Sequence, residues 1–215
     1  MARSVSLLLL SVLLSCSWCG AVTARPGPSS VDAAAAGFVK SWCAGTEYPS
    51  LCDATLASYA AEVGASPVRL SWAALTVTLG GARNATAAMK GMAAAGHLAP
   101  VAAEAAQDCV SMLGDSVGML RQSVEAMARL GEEEQKGKAA GGGSSSSRNV
   151  RFQVDSVKTW ASAALTDDDM CMEGFKGEAA GGGGAREAVR GHVVGVAHLT
   201  ANALCIVNAM AKQMP

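Results

Sequence analysis

The sequence predicts an all-α protein, built as an up-and-down four-helix bundle that follows a segment of shorter helices. Half of the 215 residues are hydrophobic, which is enough for one well-packed core. Only nine residues are aromatic (four Trp, two Tyr and three Phe), whereas alanine and glycine are abundant. This composition favours helices packed through small side chains over a β-sandwich. The apolar residues also recur at alternating spacings of three and four, the period of a helix.

Four apolar stripes mark the helices of the predicted bundle, which covers residues 67–215, and the shorter helices occupy 31–66. The second stripe is expected to close at Gly131, and a Gly/Ser-rich flexible linker is expected at 137–147. In chain order the stripes are Leu75, Leu79, Ala82, Thr86, Met89 and Ala93; Cys109, Leu113, Val117, Leu120, Val124 and Met127; Val150, Val154, Val157, Ala161, Ala164 and Cys171; and Val189, Val193, Val196, Thr200, Ala203, Val207 and Met210.

Residues 1–24 are typical of a secretory signal peptide. Arg3 supplies the positive start, "LLLLSVLL" at 7–14 supplies the apolar stretch, and "AVTA" at 21–24 offers small residues for cleavage. The apolar stretch is too short to cross a membrane, and nothing downstream approaches about 18 uninterrupted apolar residues. We therefore expect a secreted protein that has no membrane partner.

Charge and motif content exclude several classes of function. Removing the signal peptide deletes Arg3, so 17 − 1 = 16 basic residues face 18 acidic ones, and no basic patch is available for nucleic acid. No P-loop, Rossmann or metalloprotease spacing is present. His198 and Cys205 could share a helical stripe with Asn202, but one histidine and one cysteine are too few to hold a metal. The sequence predicts neither a metal nor a cofactor.

Five cysteines follow the signal peptide, and in an oxidising compartment they indicate two disulfides and one free thiol. Cys43 and Cys52 miss the usual spacing of zinc ligands and of C-x-x-C redox sites, which favours a structural disulfide. Cys109 and Cys171 lie on the second and third stripes, where a bridge would clamp neighbouring helices. Chain entropy assigns that bridge roughly 4 kcal/mol, against about 3 for the shorter one. Other pairings stay open, and Cys205 is the expected free thiol.

Two short motifs carry further hypotheses. "GDSVG" at 114–118 matches G-x-S-x-G, the nucleophile elbow of serine hydrolases, and makes Ser116 the single enzyme-like candidate. That elbow needs a preceding strand, whereas this string lies within a helical stripe, so we interpret Ser116 as a small residue at a helix contact and expect no catalysis. "NAT" at 84–86 makes Asn84 a predicted N-glycosylation site, since it lies off the apolar stripe.

Acidic residues are grouped around the second pair of cysteines. "TDDDM" at 166–170 and Glu173 lie beside Cys171, and Asp108 and Asp115 flank Cys109. Charge alone would fit a solvated face, but the acids beside Cys171 lie at the C-terminal end of the third helix, where negative charge opposes the helix dipole, so they are not there for helix stability. We interpret the group as a docking surface for a partner.

Several of these strings together resemble the plant invertase and pectin methylesterase inhibitor family. They are "CAGTEYPSLC" at 43–52, "DC" at 108–109, "TWASAALTDDDMCMEGF" at 159–175 and "LTANAL" at 199–204. The resemblance implies one inhibitor domain over 25–215, with an N-terminal helical hairpin at 31–66. It also implies the bridges Cys43–Cys52 and Cys109–Cys171, and secretion to the apoplast or cell wall.

The resemblance further implies a monomeric inhibitor that binds pectin methylesterase noncovalently, in a 1:1 complex, over the substrate cleft. Asp115 and Glu173 match acidic family positions and are the expected partner-binding residues. Gly118 stands where many relatives have Asp, and Met170 stands where many have Thr. "TWASAALT" is similar to the methylesterase inhibitors, and no Pro-Lys-Phe of the invertase inhibitors occurs. The alternatives are an inhibitor of cell-wall or vacuolar acid invertase, a non-inhibitory cell-wall protein, and a serine hydrolase that uses Ser116.

Overall fold

Seven α-helices and no strand make up the residues that the computed structural model describes, namely 30–139, 147–177, 179 and 184–214. The all-α prediction is confirmed, while the predicted signal peptide lies outside the described residues. The helices are α1 (Ser30–Cys43), α2 (Pro49–Leu56), α3 (Ala60–Val63), α4 (Pro67–Ala94), α5 (Pro100–Ala139), α6 (Ser147–Glu173) and α7 (Gly184–Ala211), with a 3₁₀ turn (Ala57–Tyr59) between α2 and α3.

Helices α4 to α7 form the four-helix bundle, in which each helix packs against the next and α7 returns to α4. The predicted stripes supply its core, because every stripe residue is buried except Ala93, Val117, Val124 and Val150, which are half-buried. By length and composition alone α7 could cross a membrane, but 50% of its apolar window is buried inside the bundle. Its apolar residues thus serve the core of the bundle.

Helix α5 does not end at Gly131 as the sequence predicted, but continues to Ala139. Gly131 is buried beside α4, since a β-carbon there would be in ordinary contact with Val68 Cγ1 at 4.0 Å. One turn later, Glu134 Oε2 accepts a hydrogen bond from Ser66 Oγ at 2.6 Å, and Ser66 is the N-cap of α4. These tertiary contacts outweigh the low helix propensity of glycine. Of the predicted linker, 140–146 lies outside the described residues, while its two ends are helical.

The N-terminal hairpin is closed by a disulfide between Cys43, the last residue of α1, and Cys52 in α2. In the turn between them, Thr46 Oγ1 donates a hydrogen bond to the Cys43 carbonyl at 2.8 Å. Pro49 then starts α2, a position where its missing N–H costs nothing and its fixed φ suits a helix. The turn residues therefore end one helix and begin the next.

Asn202 of α7 anchors this hairpin to the bundle. The Tyr48 N–H donates to Asn202 Oδ1 at 2.9 Å, and Asn202 Nδ2 donates to the Tyr48 carbonyl at 3.0 Å. The Tyr48 ring also stacks on the ring of His198, with centroids 3.8 Å apart. Asn202 is buried, and its amide supplies the acceptor for the Tyr48 N–H and a second donor to the Tyr48 carbonyl, which also accepts from the Cys52 N–H. Two strings that are 154 residues apart, "TEYP" and "LTANAL", thus meet in one contact.

We predict that Asn202→Ala lowers the free energy of unfolding by about 1–3 kcal/mol, because it removes both hydrogen bonds between α7 and the Tyr48 backbone and leaves the Tyr48 N–H without its acceptor. Urea unfolding with the disulfides intact measures the loss, and amide exchange should accelerate at Tyr48. Asn208→Ala is the matched control, since Asn208 is half-buried on the same helix and lines a groove beside α6. An equal loss in both variants would contradict the anchoring role.

Candidate functional site

A disulfide between Cys109 and Cys171 joins α5 to α6, with Cα atoms 4.4 Å apart and both cysteines buried. The bridge closes a loop with a sequence separation of 62 residues, which includes the connection between the two helices. Cys205 on α7 is a half-buried free thiol. The bridge fixes α6 beside α5 and so determines which exposed side chains share a surface.

Three acidic residues, Glu104, Asp108 and Asp115, lie on one exposed stripe of α5. The first two line a groove between α5 and α6 that is also lined by Val101 and Met170. Both apolar side chains are unusually accessible, with 45% of Val101 and 49% of Met170 exposed. We refer to Val101, Glu104, Asp108, Asp115, Asp167 and Met170 as the α5–α6 face. It combines negative charge with apolar groups that a partner could cover.

Asp167 brings a further acid from α6 to this face. Partial burial raises the pKa of its carboxyl, and the negative charge of Asp115 raises that pKa further. The electrostatic influence of Asp115 shows that the two helices present like charges near one another. A cationic partner group would relieve this repulsion.

Glu173, the second predicted partner-binding residue, lies on a different part of the surface. It is exposed at the end of α6, where it forms an ion pair with Lys176. It also lines a groove between α6 and α7, together with Arg186 and Arg190. The structure therefore does not bring Glu173 together with Asp115.

Ser116 does not have the geometry of a nucleophile elbow. It is 0% exposed and lies within α5, with no strand before it in the described residues. Its hydroxyl donates to Asp168 Oδ1 at 3.0 Å, so the groups around it are not those of a serine hydrolase triad, in which a histidine accepts the serine proton. The interpretation of Ser116 as a small residue at a helix contact fits this position.

Asp168 is the interior residue that the sequence analysis missed. It is 0% exposed, and it contacts Ser116 of α5 and Thr200 of α7. Burial raises the pKa of Asp168 to about 7, although the two hydroxyl contacts act in the opposite direction. A signal was available, since Ala164, Asp168 and Cys171 continue the spacing of four and three along the stripe of α6.

The remaining predicted sites can be placed in the fold. Asn84 is exposed on α4, whereas the Thr86 hydroxyl of the same motif is buried and donates to the Ala82 carbonyl at 2.7 Å. Glycosylation of Asn84 stays a prediction. Within the described ranges, no group of three or more His, Cys, Asp or Glu residues could hold a metal ion.

A helical hairpin and a four-helix bundle, each carrying one disulfide, define the architectural class of this protein. Residues 37–206 match the family model described as "Plant invertase/pectin methylesterase inhibitor". The chain belongs to this family, and the resemblance drawn from its sequence is confirmed.

Named relatives agree with this assignment. The chain is 34% identical to "Pectinesterase inhibitor 9" of Arabidopsis thaliana, over 96% of this chain and 94% of that protein. It is 33% identical to "Pectinesterase inhibitor 10" of the same plant, over 81% of this chain, and it spans only 51% of that protein's length. It also resembles the crystal structure of a mutant form of a pectin methylesterase inhibitor from Arabidopsis, with a TM-score of 0.53 and 18% identity over 80% of this chain and 94% of that one. At that identity the similarity supports the fold alone.

Proposed function

We propose that this protein is a secreted, non-enzymatic inhibitor that binds pectin methylesterase noncovalently over its substrate cleft. The observation that carries the proposal is the family match over residues 37–206. The relatives named as pectinesterase inhibitors favour the methylesterase as the target. The signal-like residues 1–24 would direct the chain to the apoplast or cell wall, where pectin is found.

The α5–α6 face is the surface that we assign to the enzyme. Because a disulfide holds the two helices together, the face loses little conformational freedom on binding, and this reduces the entropic cost of association. The exposed side chains of Val101 and Met170 offer apolar area to bury, and the neighbouring acids offer charge complementarity to a basic partner. A long helical face can cover a cleft and exclude a polymeric substrate without reacting with the enzyme.

Acid invertase is the second candidate target, because the description of the matched family includes invertase inhibitors. The same surface could serve either enzyme, so only a functional assay separates them. A non-inhibitory role in the cell wall is the alternative of a different class.

The proposal predicts that the purified mature chain slows the release of carboxyl groups from methylated pectin by pectin methylesterase at mildly acidic pH. At enzyme concentrations above the Kd, activity should fall linearly with added chain and reach its minimum at one equivalent. Pectin incubated with the chain alone should release no carboxyl groups above buffer. Full methylesterase activity at micromolar excess would overturn the proposal, and inhibition of sucrose hydrolysis by acid invertase instead would favour the second candidate.

The two predicted partner-binding acids give a sharper test. If both contact basic groups of the enzyme, Asp115→Asn combined with Glu173→Gln should raise the inhibition constant by roughly tenfold, and the inhibition should depend less on salt. Because the structure separates the two side chains, the free energies of the single variants should add.

Glu125→Gln is the matched control, since Glu125 is exposed on α5 ten residues after Asp115. This variant should inhibit like the unmodified chain. Unchanged inhibition by the double variant would contradict the prediction and indicate that both acids face solvent without contacting the enzyme.

A further inference from the structure

Three polar side chains from three helices meet in the interior of the bundle. Ser116 of α5, Asp168 of α6 and Thr200 of α7 are each 0% exposed. Ser116 Oγ lies 3.0 Å from Asp168 Oδ1, and Thr200 Oγ1 lies 2.9 Å from Asp168 Oδ2. A carboxyl group is thus held between two hydroxyls with no water-accessible surface. Neither the inhibitory proposal nor any comparison assigns this group a role.

The hydroxyl protons available around Asp168 indicate whether its carboxyl is neutral or ionised. Thr200 Oγ1 lies 2.9 Å from Asp168 Oδ2 and also 2.9 Å from the Val196 carbonyl oxygen. A hydroxyl has one proton, and a carbonyl oxygen can only accept. If Thr200 donates to Val196, the contact between Asp168 and Thr200 needs a proton on Asp168. A neutral Asp168 therefore satisfies the whole network, with Ser116 donating to Oδ1 and Asp168 donating to Thr200.

The charges around Asp168 favour the same state. On α6, Asp167 and Asp169 are negative neighbours that raise its pKa, in addition to the larger effect of burial. On α5, the charged residue beside Ser116 is Asp115, which is exposed. On α7, the titratable residue nearest in sequence to Thr200 is His198, whose ring stacks on Tyr48. Among the described residues, no lysine or arginine acts on the Asp168 carboxyl.

We propose that Asp168 is held as a neutral carboxylic acid that donates a hydrogen bond to Thr200, and that its ionisation weakens the attachment of α6 to α5 and α7. An ionised Asp168 would be a buried charge without a cation. To donate to it, the Thr200 hydroxyl would have to lose its hydrogen bond to the Val196 carbonyl. Protonation of the Asp168 carboxyl in acid therefore stabilises the packing of α6 against α5 and α7. The inference goes beyond inhibition, because it concerns the free protein and needs no partner.

The direction of the pH dependence follows from proton linkage. An unfolded Asp has a pKa of about 3.9, whereas the folded state holds its proton to higher pH. Between those two pKa values the folded state binds one more proton, so stability is fully present below about pH 4 and declines as pH rises. The folding equilibrium constant should fall by up to about tenfold per pH unit, until Asp168 is ionised in the folded state as well.

Asp168→Asn isolates this contribution, because the amide reproduces the neutral acid, with Oδ1 accepting from Ser116 and Nδ2 donating to Thr200. Urea unfolding of both proteins, with the disulfides intact, should be measured from about pH 4 to about pH 8. The ratio of the unmodified to the variant folding constant should fall through this range. Asp169→Asn is the control, because Asp169 is an exposed neighbour that leaves the buried carboxyl of Asp168 in place. The ratio of the Asp169→Asn folding constant to that of Asp168→Asn should still fall with rising pH. Parallel curves for the unmodified chain and Asp168→Asn would overturn the proposal.

Direct titration of Asp168 in the unmodified chain tests the proposal without any variant. Carboxyl carbon-13 NMR of the unmodified chain, with the Asp168 signal assigned through its own backbone, reports the pKa of this group. A protonated signal that persists well above pH 5 is the expected result. A pKa at or below the ordinary value of Asp, about 3.9, would overturn the proposal.

Discussion

Two buried contacts attach α6 to α5, and they determine how the remaining helices and the exposed acids are arranged. A disulfide joins the helices at Cys109 and Cys171, and a buried hydrogen bond joins them again at Ser116 and Asp168. Because the two contacts lie at different heights along the helices, α6 cannot slide or rotate past α5 without breaking one of them. Thr200 extends the attachment to α7. In a core built largely from small and aliphatic side chains, such polar contacts specify the helix register that shape alone would leave loosely defined.

Most of the fold could be predicted from the period of the apolar residues, but not the details that depend on packing. On α5 the prediction selected Val117 and Val124 for the core, whereas the fully buried positions are the adjacent Ser116 and Ser123. Hydrophobicity marked the valines, but small residues let the neighbouring helices approach closely. The continuation of α5 past Gly131 was also missed, because glycine predicts a helix end and the contacts of the last turns come from distant residues.

The sequence predicted which kind of residue forms the candidate site, but not which of these residues lie together on one surface. The sequence indicated an acidic region around the second disulfide, and the exposed acids of α5 are found there. Within "TDDDM", however, three identical residues in a row concealed that Asp168 continues the interior stripe and its neighbours do not. The separation of Asp115 from Glu173 depends on how α5, α6 and α7 are rotated about their axes, which spacing along one helix cannot determine. The contact between Asn202 and Tyr48 likewise needs the three-dimensional fold.

We propose that pectin methylesterase binds the α5–α6 face, which the Cys109–Cys171 disulfide holds rigid. Carbodiimide labelling of carboxylates, compared between the free chain and its mixture with pectin methylesterase, shows which acids the enzyme covers. We expect Glu104, Asp108 and Asp115 to become protected in the mixture, while the exposed Glu125 and Glu187 stay reactive. Protection of Glu125 or Glu187, with the three acids of the face still reactive, would contradict it.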